Sequence, residues 1–371
     1  LRAFIRSSLL LVYLLIFVLA LQLGFWLLIA NRLHSYSPVT STSAVRVSVI
    51  VCAHDEESNL RELIPQLLQQ EHPAFEVVIV NDRSNDGTYD FLLEASREHA
   101  MLRMVHVTTV PDHVNAKKYA VTLGIKAAKY EWVLLTDADC RPAGPRWLAT
   151  MTAGVGDDTS IVLGYSGYRS LGGWLNAFIR FETQLTGLLY CGLALAGMPY
   201  MGVGRNLLYA RSLFLDNKGF DRERNVTGGD DDLFVNRVAR AENTKVVLSP
   251  DALVISTPKT SWSGFFRQKV RHLAAGKRYR FRHKLVLGAW SVSYMGFWAL
   301  VVAGSLHAGW AWTATALIIR WAVMIYAGHL FARRTGDRQE TAKWPVLDIL
   351  YAFYYLTVGP VALVTKRIRW R

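Results

Sequence analysis

The 371-residue sequence predicts an α/β domain built on a mostly parallel sheet, with membrane-crossing helices at both ends of the chain. Three observations carry this expectation. Strand-like and helix-like segments alternate from Val45 onward. Hydrophobic residues make up 51% of the chain and collect towards its two ends. One apolar run, EWVLLTDADC from Glu131 to Cys140, stops abruptly at two carboxylates, Asp137 and Asp139.

Taken in order, Leu9 to Ala30 is an almost unbroken apolar run, long enough to cross a bilayer. It exceeds the core of a usual signal peptide and lacks a clear small-residue cleavage site, so residues 1–30 are expected to be a retained anchor. Residues 31–44, rich in Ser and Thr, read as a linker, and residues 45–284 as the main domain. There VRVSVIVCAHDEESNL reads as a β-branched strand, a polar loop and a helix reaching Gln70. FEVVIVNDRSNDGT repeats strand, acidic turn and helix, the helix starting at Thr88. MLRMVHVTTV is a third strand and Asn115 to Lys129 a third helix, ahead of the run that ends in Asp137. Such βαβ units bring their loops to the carboxyl edge of a parallel sheet, where every acidic loop named so far falls.

From Leu171 to Ala196 the alternation gives way to one stretch rich in Trp, Phe and Leu, which suits a helix in the membrane interface or one packed under the sheet. Residues 285–371 are expected to be a C-terminal membrane region. Leu285 to Phe331 reads as a helical hairpin turning near His307 to Trp310, followed by a basic loop from Arg333 to Lys343. Pro345 to Val364 would then span the membrane or lie in its interface, before KRIRWR.

The net charge of +13 could suggest nucleic acid, but the basic residues concentrate beside the apolar segments, a pattern that favours anionic membrane lipids instead. Cys52, Cys140 and Cys191 are widely separated and have no metal-ligand spacing, so buried thiols in a reducing compartment are expected.

The chemistry sits in the loops. A D-x-D at a strand end can share a divalent cation with a diphosphate, because Mg²⁺ takes few protein carboxylates and completes its shell with phosphate oxygens and water. Asp82, ending the second strand, could accept a hydrogen bond from a base or ribose. Lys117 and Lys118 open the third helix, where one could face the diphosphate. GGDDDL places Asp230, Asp231 and Asp232 at a helix start, a position that N-capping alone could explain. SGFFRQKVRHLAAGKRYRFRHK is a basic helix leading into the next apolar run.

In this order and spacing, VSVIVCAHDEESNL, VVIVNDRSNDGT, KKYAVTLG, TDADC, GVGRNLLYAR, GGDDDL and RQKVRH resemble the family 2 glycosyltransferases of GT-A fold, over roughly Val45 to Lys284. The resemblance implies metal-dependent, inverting transfer from a nucleotide-diphosphate sugar, with a UDP-sugar expected as donor and Mg²⁺ or Mn²⁺ as cofactor. It implies that Ala53, Asp55 and Glu56 border the nucleotide pocket, and that Asp82 contacts the uracil or ribose. Lys117, seven residues before Gly124, would hold the nucleotide. Asp137 would lie against ribose and metal, with Asp139 as the direct ligand. Gly204, Arg205 and Asn206 would line the acceptor and donor-sugar pocket, where glycines let a sugar approach the backbone.

Asp230 aligns with the general base, and Asp231 is the runner-up because Gly229 stands where the family usually has an acid. Crowding is expected to raise the pKa of one of the three aspartates, helping a base near neutrality. Gln268 and Arg271 match the first and fourth positions of Q-x-x-R-W and would cover the diphosphate. His272 stands where processive synthases have the Trp of their acceptor platform, which favours a lipid or lipid-linked saccharide acceptor and leaves a processive polysaccharide synthase as the first rival. Because nucleotide sugars are cytoplasmic, the resemblance places the catalytic domain on the cytoplasmic side of the inner membrane. If the last apolar segment also spans, the basic tail ends outside, against the positive-inside tendency. Two alternatives come from other classes: a nucleotidyltransferase, which would not need Asp230 or the Gln268 and Arg271 pair, and an inactive scaffold, against which the intact Asp137, Asp139 and Asp230 speak.

Overall fold

The computed structural model describes residues 2–38, 45–224, 226, 228–307 and 309–364. The second part of the expected linker, residues 39–44, and the KRIRWR tail lie outside the described residues. Helix α1 (Arg2–His34) leads into the alternating domain, formed by β1 (Val47–Ala53), α2 (Glu57–Leu68), β2 (Phe75–Asp82), α3 (Thr88–Glu98), β3 (Leu102–Val107), α4 (Ala116–Ala127) and β4 (Trp132–Asp137). The hydrophobic periodicities explain these elements. Helix α2 buries Leu60, Leu63, Ile64 and Leu67, one face at i, i+3, i+4 and i+7. Strand β2 buries Val77 to Val80 without a break, as a strand covered on both faces does. Gly124 lets α4 lie close on the sheet, since a Cβ there would sit 2.6 Å from Ile50 Cγ2.

The chain continues through β5 (Cys140–Pro142), α5 (Trp147–Thr152), β6 (Ile161–Leu163), β7 (Ser166–Tyr168), α6 (Gly173–Leu195), β8 (Leu207–Ala210), α7 (Arg211–Asp216), α8 (Asp232–Val238), β9 (Thr244–Val246), β10 (Val254–Ser256) and α9 (Trp262–Ala275). The main sheet has the order β3-β2-β1-β4-β8-β6-β9, and β8 alone runs against the others. β5, β10 and β7 form a small second sheet. The chain winds outward from β1 through β2 to β3, then crosses back to β4 on the other side of β1. The carboxyl ends of β1 and β4 therefore diverge into a crevice, the place where open α/β sheets take ligands.

Helices α10 (Phe281–His307), α11 (Trp310–Thr335) and α12 (Trp344–Val364) complete the chain. Together with α1 they are four helices long and apolar enough to cross a membrane. Helix α10 ends at His307, α11 begins at Trp310, and the two pack against each other. Helix α6 is neither peripheral nor wet: Phe178, Phe181, Leu185 and Leu188 are buried, and it lies between the sheet and helices α1, α11 and α12. At the heart of the helical layer the Arg320 guanidinium meets the Asp348 carboxylate, at 3.1 Å for Nη2 to Oδ1. Trp321 Nε1 donates to the same carboxylate at 2.9 Å, and the Tyr294 hydroxyl donates to the Asp348 carbonyl. Both charges are completely buried, so they persist only as a pair. The loop after α11 docks on the α/β domain through Asp337, which accepts from Tyr165 Oη and Arg180 Nη2, each at 2.9 Å.

Candidate active site

A single cleft of ≈ 1340 Å³ opens at the carboxyl ends of β1 and β4 and continues between α6 and α9. Ala53, Asp55, Glu56, Asp82, Lys117, Asp137 and Asp139 line its sheet end. Arg205, Asp230, Asp231, Gln268, Arg271 and His272 line the opposite side. The expected site residues, scattered over more than two hundred positions, thus converge on one cavity. Gly204 and Asn206 do not reach it.

Asn206 corrects the expectation of an acceptor contact. It is fully buried, accepts from Trp147 Nε1 at 3.0 Å and donates to the carbonyls of Tyr165 and Ala252, both at 2.8 Å. Every polar atom of its amide is thus spent on joining β8 to its surroundings. Gly204 acts behind the cleft, its N–H donating to Asp231 Oδ2 at 2.7 Å. Arg205 does face the cleft, its guanidinium 4.5 Å from the centroid of the Tyr168 ring.

At the nucleotide end, two loops are laced together. Asp55 adopts φ 57°, donates its N–H to Ser84 Oγ and accepts from the Asn85 N–H at 2.6 Å. Asp82 is buried and its carboxylate is held by the adjacent Arg83 at 2.8 Å. Burial pushes the Glu56 carboxyl up, against a hydrogen bond from Asn59.

Asp137 ends β4, and Asp139 follows two residues on, entering β5. The carboxylate oxygens of Asp137 and Asp139 and the Cys140 sulfur lie within 4.8 Å of one another. Burial holds the Cys140 thiol protonated, which removes it as a ligand for a hard cation. Two carboxylates remain, a sparse set that leaves coordination positions for phosphate oxygens and water. Burial and the neighbouring Asp137 also push the Asp139 carboxyl up, a cost that a bound cation would offset. The residues present therefore fit a Mg²⁺- or Mn²⁺-type ion.

Lys117 joins this acidic end to the triple aspartate. Its Nζ lies 3.1 Å from Asp137 Oδ1 and 3.4 Å from Asp230 Oδ2. Burial works against its charge, but Asp137, Asp230 and Asp231 outweigh that and hold the ammonium protonated. Lys118 points the other way, donating to the carbonyls of Glu223 and Val226 at 2.8 and 3.0 Å. Successive helical positions are about 100° apart, so only one of two adjacent lysines can face the cleft.

The three aspartates behave differently, in part against expectation. Burial would raise Asp230, but Lys117, with Lys118 behind it, more than offsets this and keeps its carboxyl below the usual range. Burial and Asp230 push Asp231 up, and its carboxylate caps α8 by accepting from the Asp232 N–H at 2.8 Å. Burial and Asp231 push Asp232 up to about 8, against a 2.8 Å hydrogen bond from the Tyr279 hydroxyl. Crowding therefore raises the two neighbours and spares Asp230, the only one of the three that Lys117 touches at salt-bridge distance among the described residues. Gly229 in place of an acid also has a structural reason. Gly228 and Gly229 both adopt positive φ, and a Cβ on Gly229 would meet Leu233 Cδ1 at 2.5 Å.

Helix α9 closes the cleft. Gln268 Nε2 stands 3.5 Å from the Tyr168 hydroxyl, and Arg271 lies where Asp137, Asp230 and Asp231 act on its charge. His272 opens to the cleft and is exposed there. The protein atoms packed around it, with the charges of Lys269, Arg271, Arg205 and Lys117, push its imidazole below the ordinary value.

A family model described as glycosyltransferase-like family 2 matches residues 45–275 of this chain. The chain belongs to this glycosyltransferase family. The Bacillus subtilis protein named Probable glycosyltransferase YdaM is 30% identical over 99 residues, 26% of this chain and 23% of that protein. The poly-beta-1,6-N-acetyl-D-glucosamine synthase of Staphylococcus epidermidis is 31% identical over 94 residues, 25% of this chain and 21% of that one. The chain thus spans less than a quarter of the length of these curated relatives. Mannosyltransferase PcManGT from Pyrobaculum calidifontis, solved in complex with GDP-Man and Mn²⁺, shares the fold with a TM-score of 0.61 and 20% identity, over 96% of this chain and all of that one. This glycosyltransferase therefore has the GT-A architecture, joined to four helices fit to cross a membrane.

Sequence reasoning missed the bridge from Lys117 to Asp230, the Tyr279 hydroxyl on Asp232, and Glu182 and Lys269, which pair inside the cleft. Glu182 did carry a signal, as the one acid in the long apolar helix α6.

Proposed function

We propose that this glycosyltransferase moves a sugar from a UDP-sugar to a hydroxyl of a lipid or lipid-linked saccharide, with inversion at C1 and with Mg²⁺ or Mn²⁺. One observation carries the reading: the D-x-D carboxylates and Asp230 face the same cleft, where one ammonium, that of Lys117, bridges Asp137 to Asp230. Asp137 and Asp139 would hold the cation, which neutralises the diphosphate when bound. The Mn²⁺ named with the Pyrobaculum calidifontis mannosyltransferase supports a divalent ion at this position.

In the proposed reaction the acceptor oxygen attacks C1 of the sugar. Its proton passes to the Asp230 carboxylate, the bond from C1 to the diphosphate oxygen breaks, and UDP leaves with the electron pair. Arg271, with Gln268 beside it, would offset the charge growing on that leaving group. A neutral His272 can orient a phosphate or sugar by hydrogen bonding but adds no charge. Asp82 and Arg83 would face the base, and Arg205 the donor sugar. The membrane helices would hold the cleft at the cytoplasmic surface of the inner membrane, beside both a cytoplasmic donor and a lipid acceptor.

The test is release of UDP by the full chain in lipid nanodiscs, across a panel of UDP- and GDP-sugars, with Mn²⁺ or EDTA and with or without total lipid extract. Metal-dependent release from one donor, increased by the extract, supports the reading. Release of sugar 1-phosphate instead of UDP would mark nucleotidyl transfer and sink it. The likeness to the Staphylococcus epidermidis synthase favours a second reading, repeated transfer onto one growing chain. Product length separates the two, since single addition yields one product size and processive extension a ladder.

A further inference from the structure

The cleft is lined by residues beyond those assigned to the nucleotide sugar. Beyond Asp231 it continues between α6 and α9, where its two walls differ in chemistry. Helix α6 offers Glu182, Thr183, Thr186 and Tyr190, one helical face of polar groups. Helix α9 offers Phe266, Val270 and Leu273, an apolar stripe at i, i+4 and i+7. Val361 of α12 also lines the cavity and is 48% exposed, so the arm reaches a helix fit to cross a membrane.

Besides Arg267 and Arg271, which also line the cavity from α9, one ion pair joins the two walls of this arm. Lys269 of α9 pairs with Glu182 of α6, both almost fully buried, and Thr186 Oγ1 stands 3.5 Å from the same carboxylate. A matched pair presents both a donor and an acceptor to the cavity without net charge. That suits a neutral hydroxylated group better than an anion, which would also meet Asp230, Asp231 and Asp232 further in.

We propose that this arm is the acceptor entrance, taking an amphiphile with a neutral, hydroxyl-bearing head whose chain lies along Phe266, Val270, Leu273 and Val361 while its head meets Glu182 and Lys269. The proposal rests on the transferase reading for its chemistry and deepens it by naming the acceptor class and its path. The acceptor reaches Asp230 from the bilayer side, and the nucleotide occupies the opposite, sheet end.

The experiment uses the full chain in phosphatidylcholine and phosphatidylglycerol nanodiscs with an octyl glucoside analogue that carries a diazirine at the chain end. After irradiation, adducts are mapped by peptide mass spectrometry, and Mn²⁺-dependent UDP binding is measured on the same sample. The expected adducts fall on α9 between Phe266 and Leu273 and on α12 around Val361. Excess octyl glucoside should lower their yield by about tenfold, whereas methyl glucoside or octyl phosphate should not. Leu273→Trp should fill the arm and remove these adducts while leaving UDP binding unchanged. Adducts confined to the outer faces of α1, α10 and α11 would overturn the proposal, as would equal competition by octyl phosphate. An unchanged adduct yield in a Leu273→Trp protein that binds UDP would do the same. Adducts in the arm of a protein that binds no nucleotide would support the entrance and sink the transferase reading instead.

Discussion

The Lys117 ammonium lies 3.4 Å from Asp230 Oδ2, 3.1 Å from Asp137 on its other side. One cation thus couples the expected metal end of the cleft to the expected base, and keeps Asp230 ionised although it is buried.

Replacing Lys117 with Met should therefore change the pH dependence of turnover as well as its rate. Asp230 works as a base only when ionised, and its carboxyl rises once the neighbouring cation is gone. The acidic limb of the kcat/KM profile should move to higher pH. An unmoved limb with a lower plateau would assign Lys117 to nucleotide binding alone.

Asp230→Asn should lower turnover by about 10²- to 10⁴-fold and leave UDP binding nearly intact, because the base acts only on the acceptor. Asp231→Asn should be milder on turnover, since the two Asp231 oxygens are spent on the Gly204 and Asp232 N–H groups and the amide oxygen keeps one of these bonds. A larger loss from Asp231→Asn, at unchanged stability, would move the base to Asp231.

Asp139→Asn should weaken Mn²⁺-dependent UDP binding by at least about tenfold, since even residues that only orient metal ligands cost that much. EDTA should have the same effect on the parent protein. Calorimetric titrations with and without metal decide this, and identical affinities would remove the D-x-D from the metal site.

Asp232 makes a prediction about stability. Its carboxyl is pushed up to about 8 in the folded protein, against an ordinary value near 4 in the unfolded chain. Between these values the folded state holds the extra proton, so this group makes stability fall as pH rises, by up to about 1.4 kcal/mol per pH unit. Asp232→Asn should raise the unfolding midpoint at pH 8, leave it nearly unchanged at pH 4, and flatten the slope between. Thermal unfolding at several pH values measures this, and an unchanged slope would contradict it.

In the helical layer, Asp348→Ala leaves the Arg320 guanidinium buried without its partner. The expected cost is about 3–5 kcal/mol, the usual penalty for breaking a buried pair from one side. Arg320→Leu with Asp348→Leu should recover much of it, as read by thermal aggregation in detergent.

The elements from Val47 to Asp137 were legible because each is a local pattern. Unbroken β-branched runs, the apolar face of α2 and the Asn115 cap of α4 need only neighbouring residues to be recognised. The acidic loops also fell on one sheet edge by topology alone. The place of α6 did not follow in that way. Its apolar sequence suits a membrane interface or a core equally, and contacts with the sheet and with α1, α11 and α12 put it between them.

By itself, then, the sequence determined which segments are strands, helices and apolar spans, and which loops carry carboxylates, because periodicity and length express local physics. Only the tertiary structure decided which group does what. It turned Lys117 to the cleft and Lys118 to the backbone, put Asn206 behind the sheet end, and lowered Asp230 while raising Asp231 and Asp232. Those outcomes depend on burial and on partners up to more than a hundred residues away, such as Asp230 for Lys117 and Tyr279 for Asp232. The electrostatics of a side chain are set by distance in space, which local sequence patterns do not encode.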